Sequence, residues 1–285
     1  RSPARPVACS LEPRSPSPDL RYTLRHSRTK HAMGFLKQLT VGVITRDAAE
    51  VLPGLLASLP TEVEVVVADG GSRDGTVRNA RAAGARVIAQ DLEAVQAAAG
   101  NFDVARNAVH RAASRPWILF LDADERLTEE GRDELAQLLA GEPEHAAYEI
   151  PRVNRFWGRP VRLLGDDHQL RLVRRNAGRF EGNTLHGRMR VDGSIGRLHH
   201  PIVHLNVRRW RDVSRRFRRE MQLEAAAPGP RPSLRRVLAE PLHLFRYYYL
   251  ENQAWRDGPI GLLVSVVYAA HRGSLLLARR RALRG

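Results

Sequence analysis

From residue 39 onward the chain alternates between two textures. Short apolar runs rich in Val and Ile occupy residues 39–44 (LTVGVI), 62–71 (EVEVVVADGG) and 117–124 (WILFLDAD). Such runs predict strands buried on both faces. Between and after them lie residues 47–59, 76–83, 102–114 and 128–140, where the patterning predicts helices. A fourth short strand is predicted at 85–89. Asp47 is a candidate N-cap for the first helix, and Thr128 opens the last in capping fashion. Strands alternating with helices imply an α/β fold, a mostly parallel sheet flanked by helices with right-handed crossovers.

Past residue 145 the strands at 148–153, 169–173, 188–191 and 195–198 are short and broken by turns. They predict a small antiparallel addition to the sheet. From residue 208 the chain is helical and basic. The pattern divides the protein into three parts. Residues 1–36 form a basic extension, disordered or translated from upstream of a start at Met33. Residues 37–206 form the α/β domain, and residues 207–285 a basic, amphipathic C-terminal helical region.

Charge adds a constraint. Lys and Arg total 46 against 31 Asp and Glu, a net charge of +15. Such a surface favours an anionic partner. The basic stretch 207–226 carries the apolar stripe Trp210, Val213, Phe217 and Met221, so it can lie on an anionic membrane surface or pack its stripe on the core. No aromatic stacking motif or reader module accompanies the charge, which argues against nucleic acid. Residues 260–270 are the most apolar segment. They are about half the length of a membrane span, and His271-Arg272 interrupts them, so no transmembrane helix is expected. The single cysteine, Cys9, excludes an intrachain disulfide and fits a reducing compartment.

In a parallel α/β sheet, ligands bind outside the carboxyl ends of the strands. Three polar groups fall there: Thr45-Arg46-Asp47, Asp69-Gly70-Gly71-Ser72 and Asp122-Ala123-Asp124-Glu125. Each alone can be a turn or a helix cap. Together they point to a site. Asp122 and Asp124, two apart at a strand end, place two carboxylates on one side, where oxygen ligands suit Mg²⁺ or Mn²⁺. A metal there would neutralise a departing diphosphate. Asp69 can accept hydrogen bonds from a base or ribose, with glycines allowing close approach, and Ser72 follows it. Arg106 and Asn107, on a helix facing the same rim, are candidates for positioning donor or acceptor.

The succession LTVGVITRDAAEVLPGLLASL, VVVADGGSRDGTV and ARNAVHRAASRPWILFLDADERL resembles family 2 glycosyltransferases of the GT-A (Rossmann-like) fold. The later segments YEIPRVNRFWGRPVR, DDHQLRLVRRNAGRFEGNTLHGRMRVDG and IGRLHHPIVHL resemble the branch that holds lipopolysaccharide-core β-1,4-glucosyltransferases. Coverage runs over about residues 38–278. The resemblance implies a metal-dependent, inverting transfer of a hexose from a nucleotide-diphosphate donor, UDP-glucose favoured, to a hydroxyl of a glycan or lipid-linked glycan. It also implies work at the cytoplasmic face of a membrane. Asp69 would then contact the nucleoside, Asp122 and Asp124 the metal and diphosphate, and His186 the metal. Asp167 would be the general base, with Asp166 as its rival, and His204 would be structural. One departure is plain: Thr45-Arg46-Asp47-Ala48 lacks the glutamate of the family's first loop, which leaves Thr45 and Arg46 to meet the donor. Two other readings share the fold: transfer to a polyprenyl phosphate, and an inactive binding protein.

Overall fold

The computed structural model describes residues 34–97, 102–162, 167–181, 189–207, 209–226 and 230–283. His186 and Asp166 lie outside them.

The apolar runs form the centre of the sheet. Strands β1 (Leu39–Thr45), β2 (Glu64–Asp69), β3 (Arg86–Ala89) and β4 (Trp117–Asp122) are all parallel, in the spatial order β3-β2-β1-β4. Helices α1 (Leu52–Ser58), α2 (Thr76–Ala82), α3 (Leu92–Ala97) and α4 (Asp103–Ala112) connect them. Strand β5 (Glu125–Leu127) and helix α5 (Glu129–Ala140) follow. Thr128 caps α5, its hydroxyl accepting from the Gly131 N–H, as its position in the sequence predicts.

The sheet does not end at β4. Strand β6 (Ala147–Phe156) carries the short β7 (Arg159–Pro160) on its edge, and β8 (His168–Arg174) inserts antiparallel between β4 and β6. After β9 (Gly178–Phe180), β10 (Met189–Val191) and β11 (Ile195–Arg197), strand β12 (Ile202–Val207) pairs parallel with β6 and antiparallel with β5. β9 and β10 pair with each other as a separate two-stranded antiparallel ribbon, while the rest of the addition is continuous with the parallel sheet. The architecture is the GT-A one: a mostly parallel sheet with helices on both faces, a small antiparallel part and C-terminal helices.

Two cores sandwich the sheet. Leu39, Val41 and Val43 of β1 face one core with Leu52, Leu55, Leu135 and Leu139. Val66, Ala68, Ile118 and Phe120 face the other, with Val109 of α4. Successive strand residues point to opposite faces, which is why continuous apolar runs serve both cores. On the α4 side β1 presents Gly42, where a β-carbon would stand 2.4 Å from the Val109 side chain. Glycine there lets α4 approach the sheet.

Two local expectations fail. Asp47 does not cap α1, whose N-cap is Val51 without a side-chain bond. Instead Asp47 sits at φ +48°, a left-handed conformation that Asp tolerates better than most residues. The apolar segment at 260–270 also does not stop at His271-Arg272. It belongs to α8 (Pro259–Ala282), among the described residues the one helix long and apolar enough to cross a membrane. Within the helix both residues find acidic partners. His271 Nε2 lies 2.7 Å from Glu220, and Arg272 Nε donates to Glu240 at 2.7 Å.

Candidate active site

Strand register brings the three predicted groups to one rim. Thr45 pairs with Asp69, and Ile44 with Asp122. Outside these strand ends opens a cleft of about 720 Å³. Thr45, Arg46, Asp47, Asp74, Asp122 and Asp124 line it, with Leu205 and Asn206 from the end of β12. The Thr45 hydroxyl is buried at the cleft wall and has no hydrogen-bond partner among the described residues. An orphaned buried hydroxyl costs stability and marks a position where a ligand would satisfy it.

The first two groups build the wall by knitting two loops together. Gly70 N–H donates to the Thr45 carbonyl at 2.9 Å. Asp47 N–H donates to Ser72 Oγ at 2.8 Å, and Arg73 N–H to Asp47 Oδ1 at 2.7 Å. Ala48 N–H donates to Thr76 Oγ1 at 2.8 Å, and Ala49 N–H to Asp74 Oδ2 at 3.0 Å. Asp69 is buried, and its carboxylate accepts from Gly71 N–H, Ser72 N–H and Ser72 Oγ. Both oxygens thus serve the turn, and the expected nucleoside contact meets a carboxylate already engaged. Asn107 is also engaged elsewhere: its amide makes a two-way pair with the backbone of Phe180, at 2.8 and 3.1 Å. It fastens α4 to β9 instead of facing the rim. Arg106 lies 3.4 Å from Asp103 and over the Phe180 ring, close enough for its charge to act on Asp122.

The third group is built from charge. β4 ends at Asp122, the chain turns through Ala123 and Asp124, and Glu125 returns into the interior with no exposed surface. Glu125 accepts from the Asp122 N–H at 2.9 Å. The buried guanidinium of Arg171, reaching in from β8, donates to Asp122 Oδ2 at 2.8 Å and to Glu125 Oε1 at 2.7 Å. Arg152 of β6 lies 3.6 Å from Glu125. Burial pushes the Asp122 carboxyl up, but Arg171 outweighs it and holds the group below the usual carboxylate range. Burial pushes the Glu125 carboxyl above its usual value, Asp122 reinforcing and Arg171 opposing.

A line of polar contacts runs from this corner to Asp167. His204 of β12 points Nε2 at Asp124 Oδ2, 3.4 Å away, and Nδ1 at Asn154 Oδ1, 2.8 Å away. Asn154 donates its amide N–H to Asp167 Oδ2 at 3.0 Å. Arg152 Nε donates to the same oxygen at 2.7 Å, and Gln169 Nε2 to Oδ1 at 2.6 Å. Burial alone would raise the Asp167 carboxyl; these donors hold it below the usual range. Asp167 is outside the lining of the cleft and three contacts from Asp124. Of the residues proposed from sequence, the fold therefore gathers Thr45, Arg46, Asp122 and Asp124 on one cleft, with Arg106 beside them. It gives Asp69, Ser72 and Asn107 structural partners, and sets Asp167 at the far end of a polar network.

Sequence reasoning missed Arg152, Asn154 and Arg171, and His204 does more than fill space. One signal was available. Arg171 interrupts the apolar strand LRLV, and a charge buried in a strand needs partners of opposite sign.

Asp122 and Asp124 fit a divalent cation in the manner of sites that use one or two carboxylates and leave the remaining positions to water and substrate phosphate. Among the described residues no three His, Cys, Asp or Glu side chains form a cluster that could hold a metal ion.

The model of the family described as Glycosyl transferase family 2 matches residues 40–190, more than half of the chain. The lipopolysaccharide core biosynthesis glycosyltransferase LpsC of Rhizobium meliloti is 26% identical over 246 residues, 82% of this chain and 88% of that protein. A TPR repeat-containing protein of Synechococcus elongatus is 42% identical over 118 residues, and the chain spans only 28% of its length. Among solved structures, a mannosyltransferase from Pyrobaculum calidifontis in complex with GDP-Man and Mn²⁺ is 16% identical with a TM-score of 0.47, covering 93% of this chain and 96% of that one. Glucosyl-3-phosphoglycerate synthase from Mycobacterium tuberculosis, with Mn²⁺, UDP and phosphoglyceric acid, is 16% identical with a TM-score of 0.39, covering 69% and 81%. On the extent of the family match, the chain belongs to glycosyl transferase family 2 and is a glycosyltransferase.

Proposed function

We propose that the chain transfers a hexose from a nucleotide-diphosphate donor, UDP-glucose first among candidates, to a glycan or glycolipid hydroxyl with inversion. The observation that carries this reading is the cleft itself: an orphaned Thr45 hydroxyl, a cationic Arg46 and the carboxylates of Asp122 and Asp124 on one rim. Thr45 and Arg46 bind the nucleotide portion of the donor. Asp122, fixed by Arg171, and Asp124, fixed by His204, hold Mg²⁺ or Mn²⁺. The cation when bound supplies positive charge against the departing diphosphate. Arg106 adds charge at the same rim.

Asp167 remains the candidate base, on one condition. Its Oδ2 is held by Arg152 and Asn154, while Oδ1 is held by Gln169 alone. An acceptor hydroxyl that displaces Gln169 from Oδ1 places its proton within reach. Resemblance to the R. meliloti enzyme favours an acceptor in cell-envelope polysaccharide or lipopolysaccharide-core synthesis, which would bring the protein to the cytoplasmic face of a membrane. The full set of donors on Asp167 also favours a second reading, a polyprenyl-phosphate acceptor, which needs no strong base. Asp167→Asn separates them: turnover falls by about 10²–10⁴ for a hydroxyl acceptor and changes little for a phosphate.

The main test is a thermal-shift panel of nucleoside diphosphates with and without Mn²⁺. A metal-dependent rise with one diphosphate is expected. Silence toward all of them overturns the proposal.

A further inference from the structure

The C-terminal region holds two amphipathic helices that treat their apolar stripes differently. On α6 (Trp210–Ala226), Val213 is buried and the Phe217 ring stacks on His271 with 3.5 Å between centroids. Trp210 meets Trp157 at 4.5 Å. Of the two readings its sequence allowed, membrane surface or packing on the core, these contacts support packing for Val213 and Phe217, while Trp210 stays half-exposed. On α7 (Leu234–Arg246), capped by Ser233, none of the 13 residues is buried. Leu234, Leu238 and Leu242 are 58%, 70% and 72% exposed. Four-residue spacing sets them in one row on the helix. The opposite side meets α8, where Pro241 abuts Gly273 and Glu240 binds Arg272.

Three exposed leucines in a row cost free energy in water, about 25 cal/mol per Å² of apolar surface, unless something covers them. Charge says what. Residues 207–285 contain 17 arginines and six carboxylates, 17 − 6 = +11 of the total +15. Arg235 adjoins the leucine row, Arg246 extends it while pairing with Glu251 at 3.1 Å, and exposed Tyr247 and Trp255 follow, residue types that favour the membrane–water boundary. We propose that the outer face of α7 docks in the plane of an anionic phospholipid bilayer, the leucines entering the acyl boundary and the arginines meeting phosphate headgroups. In this arrangement α8 is the helix behind the docking face. Its His271 and Arg272 are paired with Glu220 and Glu240, so it acts as a packed helix and not as a span. The proposal goes beyond the transferase reading and does not need it, because lipid binding requires no turnover.

The test is co-sedimentation of the full chain with vesicles of phosphatidylcholine alone and of phosphatidylcholine with about one-third phosphatidylglycerol. Binding is expected only to the anionic vesicles and is expected to fall in about 1 M salt, where the Debye length shrinks to ~3 Å. The double variant Leu238→Ser/Leu242→Ser is expected to lower partitioning by about tenfold or more. Its melting temperature and its response to UDP should stay those of the parent, since both side chains are exposed. Equal binding to both vesicle types, or a double variant that binds like the parent, overturns the proposal. Resistance to alkaline carbonate extraction also overturns it, in favour of α8 as a span. So does a dimer in sedimentation velocity that the double variant dissolves, since the face is then covered by a second copy.

Discussion

The two corners of the cleft are held by different physics. The Thr45–Ala49 corner is a surface loop tied to the Asp69–Thr76 turn by backbone N–H groups donating to side-chain oxygens. Each such bond contributes about 0.5–1.5 kcal/mol and its loss is local. The Asp122–Glu125 corner is held by Arg171, a guanidinium buried between two carboxylates. There the net contribution of the group is small, but removing one member leaves an uncompensated buried charge. In the first corner a side-chain change breaks only its own bonds. The second is coupled, and a change anywhere in it reaches the carboxylates on the cleft.

The contrast can be broken most forcefully at Arg171. Arg171→Met strands Glu125, which has no exposed surface, and should cost about 3–5 kcal/mol of stability. Chemical denaturation measures it. A loss below ~1 kcal/mol would show that the corner is not charge-coupled. Asp124→Asn should do the opposite. The residue is partly exposed and lines the cleft, so stability changes by less than about 0.5 kcal/mol, while the proposed metal role predicts that kcat falls by about 10²–10³, the magnitude for loss of one transition-state-stabilising group.

A pH profile sharpens the same comparison. Asp167 is held below its ordinary value by Arg152, Asn154 and Gln169 against burial. Its folded pKa is depressed, so its stabilisation is full above the unfolded pKa of about 3.9 and is lost as pH falls through the folded value. The acid limb of the stability curve should therefore be steeper in the parent than in Asp167→Asn. Parallel limbs would remove the carboxylate from the network. The smallest effect is expected at Thr45→Val. Removing an orphaned buried hydroxyl is neutral or slightly stabilising, whereas affinity for the nucleoside diphosphate should fall by about 2- to 13-fold, one hydrogen bond's worth. Isothermal titration calorimetry reads the second and a melt the first.

The strands at 39–45, 64–69 and 117–122 were legible because a strand buried on both faces must be apolar throughout, and few other elements look like that. The Thr128 cap was legible because capping is local. Asp47 was misread as a cap, since the same residue type that caps helices also adopts the left-handed turn found here. The candidate site was half legible. Polar residues ending buried strands announced the rim, but the role of Asp69 depended on whether its own turn claimed its oxygens, and Asn107 on where β9 runs.

By itself, then, the amino-acid sequence determined the α/β alternation, the rim carrying Thr45, Arg46, Asp122 and Asp124, and the family. Those features follow from periodicity and short-range chemistry. Tertiary structure alone decided that Arg171 neutralises Asp122 and Glu125, that His204 and Asn154 join Asp124 to Asp167, and that α6 rather than α7 packs its apolar stripe inward. These contacts join residues on different strands and helices. A charge or an apolar stripe states in sequence only that it needs a partner, and which partner it meets is set by how the sheet and helices pack.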